Sequence, residues 1–175
     1  GHINGSRYLA QFRDKCIIIP YGVNIDSFTH INSKTAIPAV QQDNRAKKVL
    51  FIGRLIYYKG VDVLLDAFSR VQGAQLYIAG DGPLRQQLEN QASSLGISGK
   101  VHFLGRQSDE NIKALLNDCD IFVLPSVANS EAFGIVQIEA MACSKPVINT
   151  SLPTGVPYVS IHGQTGLTVP PGNAE

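Results

Sequence analysis

The chain has 175 residues, of which 44% are hydrophobic and 17% are charged, and its formal net charge is +1. This length suits one globular domain with a substantial core. The small net charge argues against a general attraction to nucleic acid, and no apolar run approaches the roughly 20 residues that a membrane-spanning helix needs. We therefore expect no nucleic-acid partner and a cytoplasmic location.

Short β-branched blocks alternate with helical patterns along the sequence. The first pattern, over residues 6–12, is helical and leads into an apolar block. Strands are predicted where brief Val- and Ile-rich blocks are bounded by Gly or Pro, at 16–20, 48–53, 75–79, 100–104, 120–124 and 145–149. Helices are predicted where apolar residues recur three and four positions apart, at 61–68, 84–95, 108–116 and 133–143.

This alternation predicts repeated βαβ units, and hence a Rossmann-like three-layer α/β fold with a parallel sheet and helices on both faces. Residues 48–175 are predicted to form this domain, and the polar residues 27–47 a linker or surface loop. Both ends are expected to be cut from a longer protein, because no helix follows 171–175 to cover the last strands. Ligands of such sheets bind beyond the carboxyl ends of the strands.

Two cations lie where the second predicted strand ends. Gly53 and Arg54 close that strand, and Lys59 immediately precedes Gly60 at the start of the next helix. Two positive charges beside a helix N-terminus would suit a diphosphate. The alternative is a pair of solvated surface cations, and spacing alone does not separate the two interpretations.

The next two strand ends carry glycine turns. Gly80, Asp81 and Gly82 would let a ligand approach the backbone, although taken alone they are better explained by a plain strand-to-helix turn. The Gly-x-Gly-x-x-Gly dinucleotide fingerprint is missing from the sequence. The segment from Leu104 through Gly105 to Arg106 could bond a nucleobase through its main chain, or it could be a turn with an exposed Arg.

Two glutamates, Glu131 and Glu139, lie eight residues apart after the fifth predicted strand. Ser126 also follows that strand. Glu139 is the only charged residue in 133–143, so its carboxylate needs a partner, either a ligand hydroxyl or an internal Arg or Lys. Glu131 either contacts a ligand or is a helix-start acid. The N–H groups of Phe133, Gly134 and Ile135, at the predicted helix start, could hold phosphate oxygens.

Metal and nucleophile patterns are missing from the sequence. The cysteines and histidines, which show no such spacing, are Cys16, Cys119, Cys143, His2, His30, His102 and His162. We expect buried free thiols in a reducing compartment and a packed or surface His102. No bound metal is expected.

In this order the segments resemble the C-terminal, donor-binding half of retaining GT-B glycosyltransferases of family four, over nearly the whole chain. Residues 19–24 resemble the connector between the two halves of these enzymes, which makes residues 1–26 the end of an N-terminal-half helix plus that connector. Residues 51–55 with 59–60 resemble the basic phosphate-binding pair. Residues 131–139 resemble the paired-glutamate signature. Two positions depart from the family pattern, Ala132 in place of Gly and Tyr158 in place of Glu.

The resemblance implies a role for each candidate residue. The catalytic residues would be Arg54 and Lys59, which neutralise the leaving diphosphate without a metal or other cofactor, and Glu131, which contacts the transferred hexose. Glu139 would bind the ribose. The remaining donor contacts would come from Gly53, Gly80, Asp81, Gly82, Leu104, Gly105, Arg106, Ser126, Phe133, Gly134 and Ile135.

The partners implied are a nucleotide-diphosphate sugar and an N-terminal half that binds the acceptor and supplies a further histidine. Since that half is missing from this sequence, the chain alone is expected to be inactive, and membrane contact would be peripheral and made by the longer protein. The product would belong to cell-surface polysaccharide or glycoconjugate synthesis. A non-catalytic nucleotide or sugar-phosphate module of similar topology is the alternative, and a dinucleotide oxidoreductase is disfavoured.

Overall fold

A computed structural model describes residues 6–17, 19, 21–29 and 46–175. Its centre is a six-stranded parallel sheet in the order β3-β2-β1-β4-β5-β6. The strands are β1 (Lys47–Ile52), β2 (Ala74–Ala79), β3 (Val101–Gly105), β4 (Ile121–Leu124), β5 (Val147–Thr150) and β6 (Gly166–Val169). This confirms the Rossmann-like α/β fold class.

Six α-helices connect or flank the strands in the described part of the chain. They are α1 (Asp26–Thr29), α2 (Val61–Phe68), α3 (Arg85–Ser94), α4 (Asp109–Asp118), α5 (Val136–Ala142) and α6 (Val156–Val159). Local sequence explains the start of α4, where the Ser108 hydroxyl accepts the Asn111 N–H, which is a standard N-cap. None of these helices is long and apolar enough to cross a bilayer.

Both faces of the sheet are covered, which is why its central strands are continuously apolar. On one face, Phe51 of β1 packs with Leu65 of α2 and Leu88 of α3. On the other face, Leu50 packs with Leu116 of α4, and α5 and α6 join the same cluster. The alternation of Leu50 and Phe51 between the two cores follows from the two-residue period of a strand.

Three predicted elements differ from the structure. The strand predicted at 16–20 is wrong in its described part, because Cys16, Ile17 and Ile19 form no strand and the two isoleucine side chains are 87% and 85% exposed. The pattern at 6–12 forms a turn and a 3-10 helix, Ala10–Lys15, instead of an α-helix. The helix predicted from 133 begins at Val136, because Gly134 has a φ of +69° that interrupts it.

The sequence prediction also missed β6, an edge strand of four residues. Its side chains alternate between half-buried and exposed, so it lacks the apolar run that identified the others. Gly166 is required there, since a Cβ on it would lie 1.8 Å from the Val147 carbonyl oxygen of β5. The predicted linker at 27–47 lies mostly outside the described residues and stays a prediction.

His102 agrees with expectation, and the prediction of buried free thiols holds for Cys119 and Cys143 but not for Cys16. All three thiols are free, and Cys119 and Cys143 are buried whereas Cys16 is partly exposed. His102 is half-buried, bonds the Gln75 side chain at 2.8 Å and stacks on Tyr77 with 4.9 Å between ring centroids.

The strand order creates a switch point between β1 and β4. From β1 the chain moves outward through β2 to β3, and it then returns to β4 on the other side of β1. The connections from β1 to β2 and from β4 to β5 therefore lead to opposite sides of this point. Open α/β sheets bind their ligands in the crevice that this leaves at the carboxyl ends of the strands.

Candidate functional site

A cleft of about 370 Å³ opens at the carboxyl ends of β1, β2 and β3. Five of the predicted residues line it: Gly53, Arg54, Gly80, Asp81 and Arg106. Ile52, Ala79, Gln107 and Ile112 complete the lining. The structure thus brings together residues from three strand ends that are up to 53 positions apart in sequence (106 − 53).

Close backbone packing forms the floor of this cleft. A Cβ on Gly80, whose φ is +136°, would lie 1.9 Å from the Gly53 carbonyl oxygen. A Cβ on Gly82 would lie 2.4 Å from the Leu55 carbonyl oxygen. Any larger residue at either position would push the loops after β1 and β2 apart, so the glycines are required by packing whether or not a ligand approaches them.

The cleft carries two guanidinium groups that the described residues leave unpaired. Arg54 and Arg106 are both exposed, and neither makes a side-chain hydrogen bond or ion pair within the described ranges. The carboxylate of Asp81 is occupied in part, because its Oδ1 accepts the Gly82 N–H at 2.8 Å. An anion with two or more oxygen acceptors is the ligand that such groups bind best.

The second predicted cation, Lys59, has a protein partner. Its Nζ lies 2.5 Å from Glu131 Oε2, and the two side chains are only 13% and 9% exposed. The Ser126 hydroxyl donates to the same Oε2 at 2.9 Å. This ion pair joins the loop after β1 to the loop after β4, so it bridges the switch point. The alternative of a helix-start acid is wrong for Glu131, since α5 begins five residues later.

The ion pair adjoins the cleft through Gly53. A Cβ on Gly53 would lie 3.6 Å from Lys59 Cε, so the lysine side chain lies along the backbone that lines the cleft. The two loops are also locked together, because a Cβ on Gly60 would lie 2.2 Å from the Pro125 carbonyl oxygen and the Val127 N–H donates to the Tyr58 carbonyl at 2.8 Å. Lys59 and Glu131 are therefore held at a fixed place beside the cleft.

Glu139 is half-buried on α5 and faces the beginning of α4. Burial raises the pKa of its carboxyl group, Asp109 raises it further, and Lys113 opposes the shift. No described Arg, Lys or hydrogen-bond donor pairs with its carboxylate, so an internal pair is not found in that part of the chain. Ile112, which lines the cleft, lies between Asp109 and Lys113 on α4.

The other predicted residues do not line the cleft. The Leu104 carbonyl accepts from Gln107 Nε2 at 2.7 Å, and the Gly105 carbonyl accepts from the Gly80 N–H at 2.8 Å. Ser126 is fully buried, and Gly134 is buried. Phe133 meets Tyr21 edge to face, and Ile135 is 37% exposed ahead of α5.

Sequence reasoning missed three residues near the site: Gln107, Ile112 and Asp109. Gln107 and Ile112 follow the predicted turn after β3, and the helical spacing of 108–116 would have placed Ile112 one turn from Asp109.

Within the described ranges no group of three His, Cys, Asp or Glu residues could hold a metal ion.

Comparison with known proteins connects this geometry to a family. A match to the family "Glycosyl transferases group 1" covers residues 32–175. The chain belongs to this glycosyltransferase family. The expected resemblance to the C-terminal half of a GT-B enzyme is thereby confirmed for family and fold.

Several relatives show how far the similarity reaches. The D-rhamnosyltransferase WbpZ of Pseudomonas aeruginosa is 40% identical over 178 residues, which cover 97% of this chain and 44% of WbpZ. A glycosyltransferase from Rickettsia africae superposes with a TM-score of 0.80 at 26% identity, over 99% of this chain and 47% of that one. Anabaena Alr3699/HepE, crystallised with UDP-glucose, is 31% identical with a TM-score of 0.68, over 74% and 36% of the two chains. This chain thus spans about half or less of each relative.

Proposed function

We propose that this chain binds a nucleotide-diphosphate sugar and is the donor half of a retaining hexosyltransferase that makes a cell-surface polysaccharide or glycoconjugate. One observation carries the proposal: a cleft with two guanidinium groups that no described residue pairs adjoins a nearly buried Lys59–Glu131 pair at the switch point of the sheet. The family membership and the crystallisation of HepE with UDP-glucose support the same ligand class.

The diphosphate would lie against Arg54 and Lys59. As the bond between sugar and phosphate breaks, negative charge grows on the leaving diphosphate, and fixed cations lower the energy of that state. Lys59 already carries a bond to Glu131, so the ligand would share the ammonium group or draw it away. Arg54, which is exposed and unpaired within the described ranges, is available without such a change. We expect no metal ion to be needed for this step.

The two glutamates would bind the two sugars of the donor. Glu139 is half-buried and without a partner among the described residues, and its pKa is raised by burial, so two donated hydrogen bonds from the ribose hydroxyls would compensate its desolvation. Glu131, beside Lys59, would bind a hydroxyl of the transferred hexose. Transfer itself would need the acceptor site and a histidine in another part of a longer protein, so this chain alone would be inactive.

A calorimetric titration of the chain with UDP, GDP and ADP tests the proposal. We expect one of them to bind with a Kd between millimolar and micromolar, about −4 to −8 kcal/mol, and the corresponding sugar conjugate to bind at the same site. Arg54→Ala should weaken binding, whereas Arg13→Ala, an equal loss of charge in the 3-10 helix outside the cleft, should not. Equal binding of all three diphosphates, or none, would contradict the donor assignment. Binding by the chain with no transfer by the longer protein would favour a non-catalytic module.

A further inference from the structure

The carboxylate of Glu131 is held by one oxygen only. Both donors, Lys59 Nζ at 2.5 Å and Ser126 Oγ at 2.9 Å, approach Oε2. No described residue donates to Oε1. The side chain is 9% exposed, and Oε1 is not one of the buried polar atoms left without a partner in the described structure, so this oxygen is open to a hydroxyl from outside the protein. One carboxylate oxygen is thus used for anchoring and the other is left for a ligand.

Ser126 cannot reach a ligand directly. The residue is completely buried, and its hydroxyl is used by Glu131. Its carbonyl oxygen accepts a 2.6 Å hydrogen bond from the hydroxyl of Thr150, which is itself 3% exposed at the end of β5. Backbone and side chain of Ser126 are therefore both fixed from beneath the site. A hydroxyl in this position can influence a reaction only through the carboxylate it contacts.

We propose that Ser126 is a positioning residue that acts through Glu131, a role that rests on the function proposed above. A bound nucleotide sugar would affect the two hydrogen-bonding groups on Oε2 differently. Lys59 would be drawn toward the diphosphate, which weakens its bond to Glu131, whereas the buried Ser126 hydroxyl has no alternative acceptor among the described residues. The serine therefore keeps Oε1 aimed at the transferred sugar when the lysine turns to the leaving group.

Kinetics of the longer enzyme that carries this chain test the role. Ser126→Ala should lower kcat about ten- to a hundredfold, as expected for losing a hydrogen bond to a charged group. The KM for the sugar nucleotide should change less than twofold, because the diphosphate and ribose contacts remain. Ser130→Ala, an exposed serine of the same loop, is the matched control and should leave both constants unchanged.

A double mutant separates positioning from a general structural defect. If Ser126 acts only through Glu131, Ser126→Ala should cost nothing further in a Glu131→Ala background, where no side-chain acceptor remains for the serine to position. Additive losses would overturn the proposal, and so would an unchanged kcat in Ser126→Ala alongside a large loss in Glu131→Ala. Ser126→Cys, which keeps the shape of the side chain but is slightly larger and a weaker donor, should resemble the alanine variant, and full activity of this variant would also overturn the role. Failure of the chain to bind any nucleoside diphosphate would instead refute the proposed function, so the two failures are distinguishable.

Discussion

Removal of the Glu131 carboxylate should destabilise the ligand-free chain more than any other single charge deletion at the site. In Glu131→Ala, the Lys59 ammonium loses its only anionic partner among the described residues, and the fully buried Ser126 hydroxyl loses its acceptor. The lysine side chain is 13% exposed, so water can solvate it only in part. The substitution therefore leaves a poorly hydrated charge and an unsatisfied hydroxyl next to each other.

The magnitude follows from burial. Breaking a fully buried ion pair by removing one partner costs about 3–5 kcal/mol, and the small residual exposure of both side chains reduces this to roughly 2–4 kcal/mol. For a chain of this size, 1 kcal/mol corresponds to about 2–4 °C in Tm. We expect the Tm of Glu131→Ala to fall by about 4–16 °C.

Thermal unfolding followed by circular dichroism measures the effect, and the chain offers a matched control. Lys47 pairs with Asp120 at 2.9 Å, but these side chains are 71% and 36% exposed, so Lys47→Ala should cost less than about 1 kcal/mol. A diphosphate that binds Lys59 should stabilise Glu131→Ala at least as much as the unmodified chain, because it supplies the missing negative charge. If Glu131→Ala and Lys47→Ala lower the Tm equally, the pair at the switch point is solvated and the expected cost of roughly 2–4 kcal/mol is wrong.

Further predictions concern acidity, packing and thiol reactivity. The pKa of Glu139 is raised on folding, so ionisation of this carboxyl group disfavours the folded state as the pH rises above the ordinary carboxyl range. Glu139→Gln should therefore raise the Tm at pH 7 but not near pH 3. The same variant should weaken ribonucleotide binding in calorimetry. Gly80→Ala should cost about 2–4 kcal/mol in urea unfolding, because its φ is +136° and its Cβ would overlap a carbonyl, whereas Gly99→Ala, with open space around it, should stay within about 0.5 kcal/mol. Burial raises the pKa of Cys119 to about 12, so Cys16 should react first with a thiol reagent at pH 8 and Cys119 only after denaturation; equal rates in the native chain would contradict this burial.

Much of the fold could be predicted because its signals are local. Five of the six predicted strands exist, since each is an apolar run that a parallel sheet buries on both faces. The incorrect predictions of elements also have physical causes. Residues 16–20 have the composition of a strand, but Cys16, Ile17 and Ile19, the described residues of that range, form no strand. β6 is an edge strand whose exposed side chains hide it from an apolar pattern. The start of α5 was misplaced because a single glycine with positive φ overrides helical spacing.

Only part of the candidate site could be predicted, because some of its contacts follow from the strand order and others depend on packing. That Gly53, Gly80 and Arg106 would meet follows from parallel strands, whose carboxyl ends share one edge of the sheet. The burial of Ser126 could not be read from its position after β4, because burial depends on the packing of Thr150 beneath it. Roles that need a bound donor stay predictions for Leu104 and Ile135.

The amino-acid sequence by itself determined the alternation of strands and helices, because hydrophobic periodicity is a property of the sequence alone. This alternation also determined the edge of the sheet where the candidate ligand-binding groups lie. Only the tertiary structure decided which of those groups are free to bind. Lys59 and Glu131 are 72 positions apart, and they meet because β4 is placed beside β1. This ion pair depends on strand order and on the exclusion of water between two loops, and a helical period in the sequence reports neither.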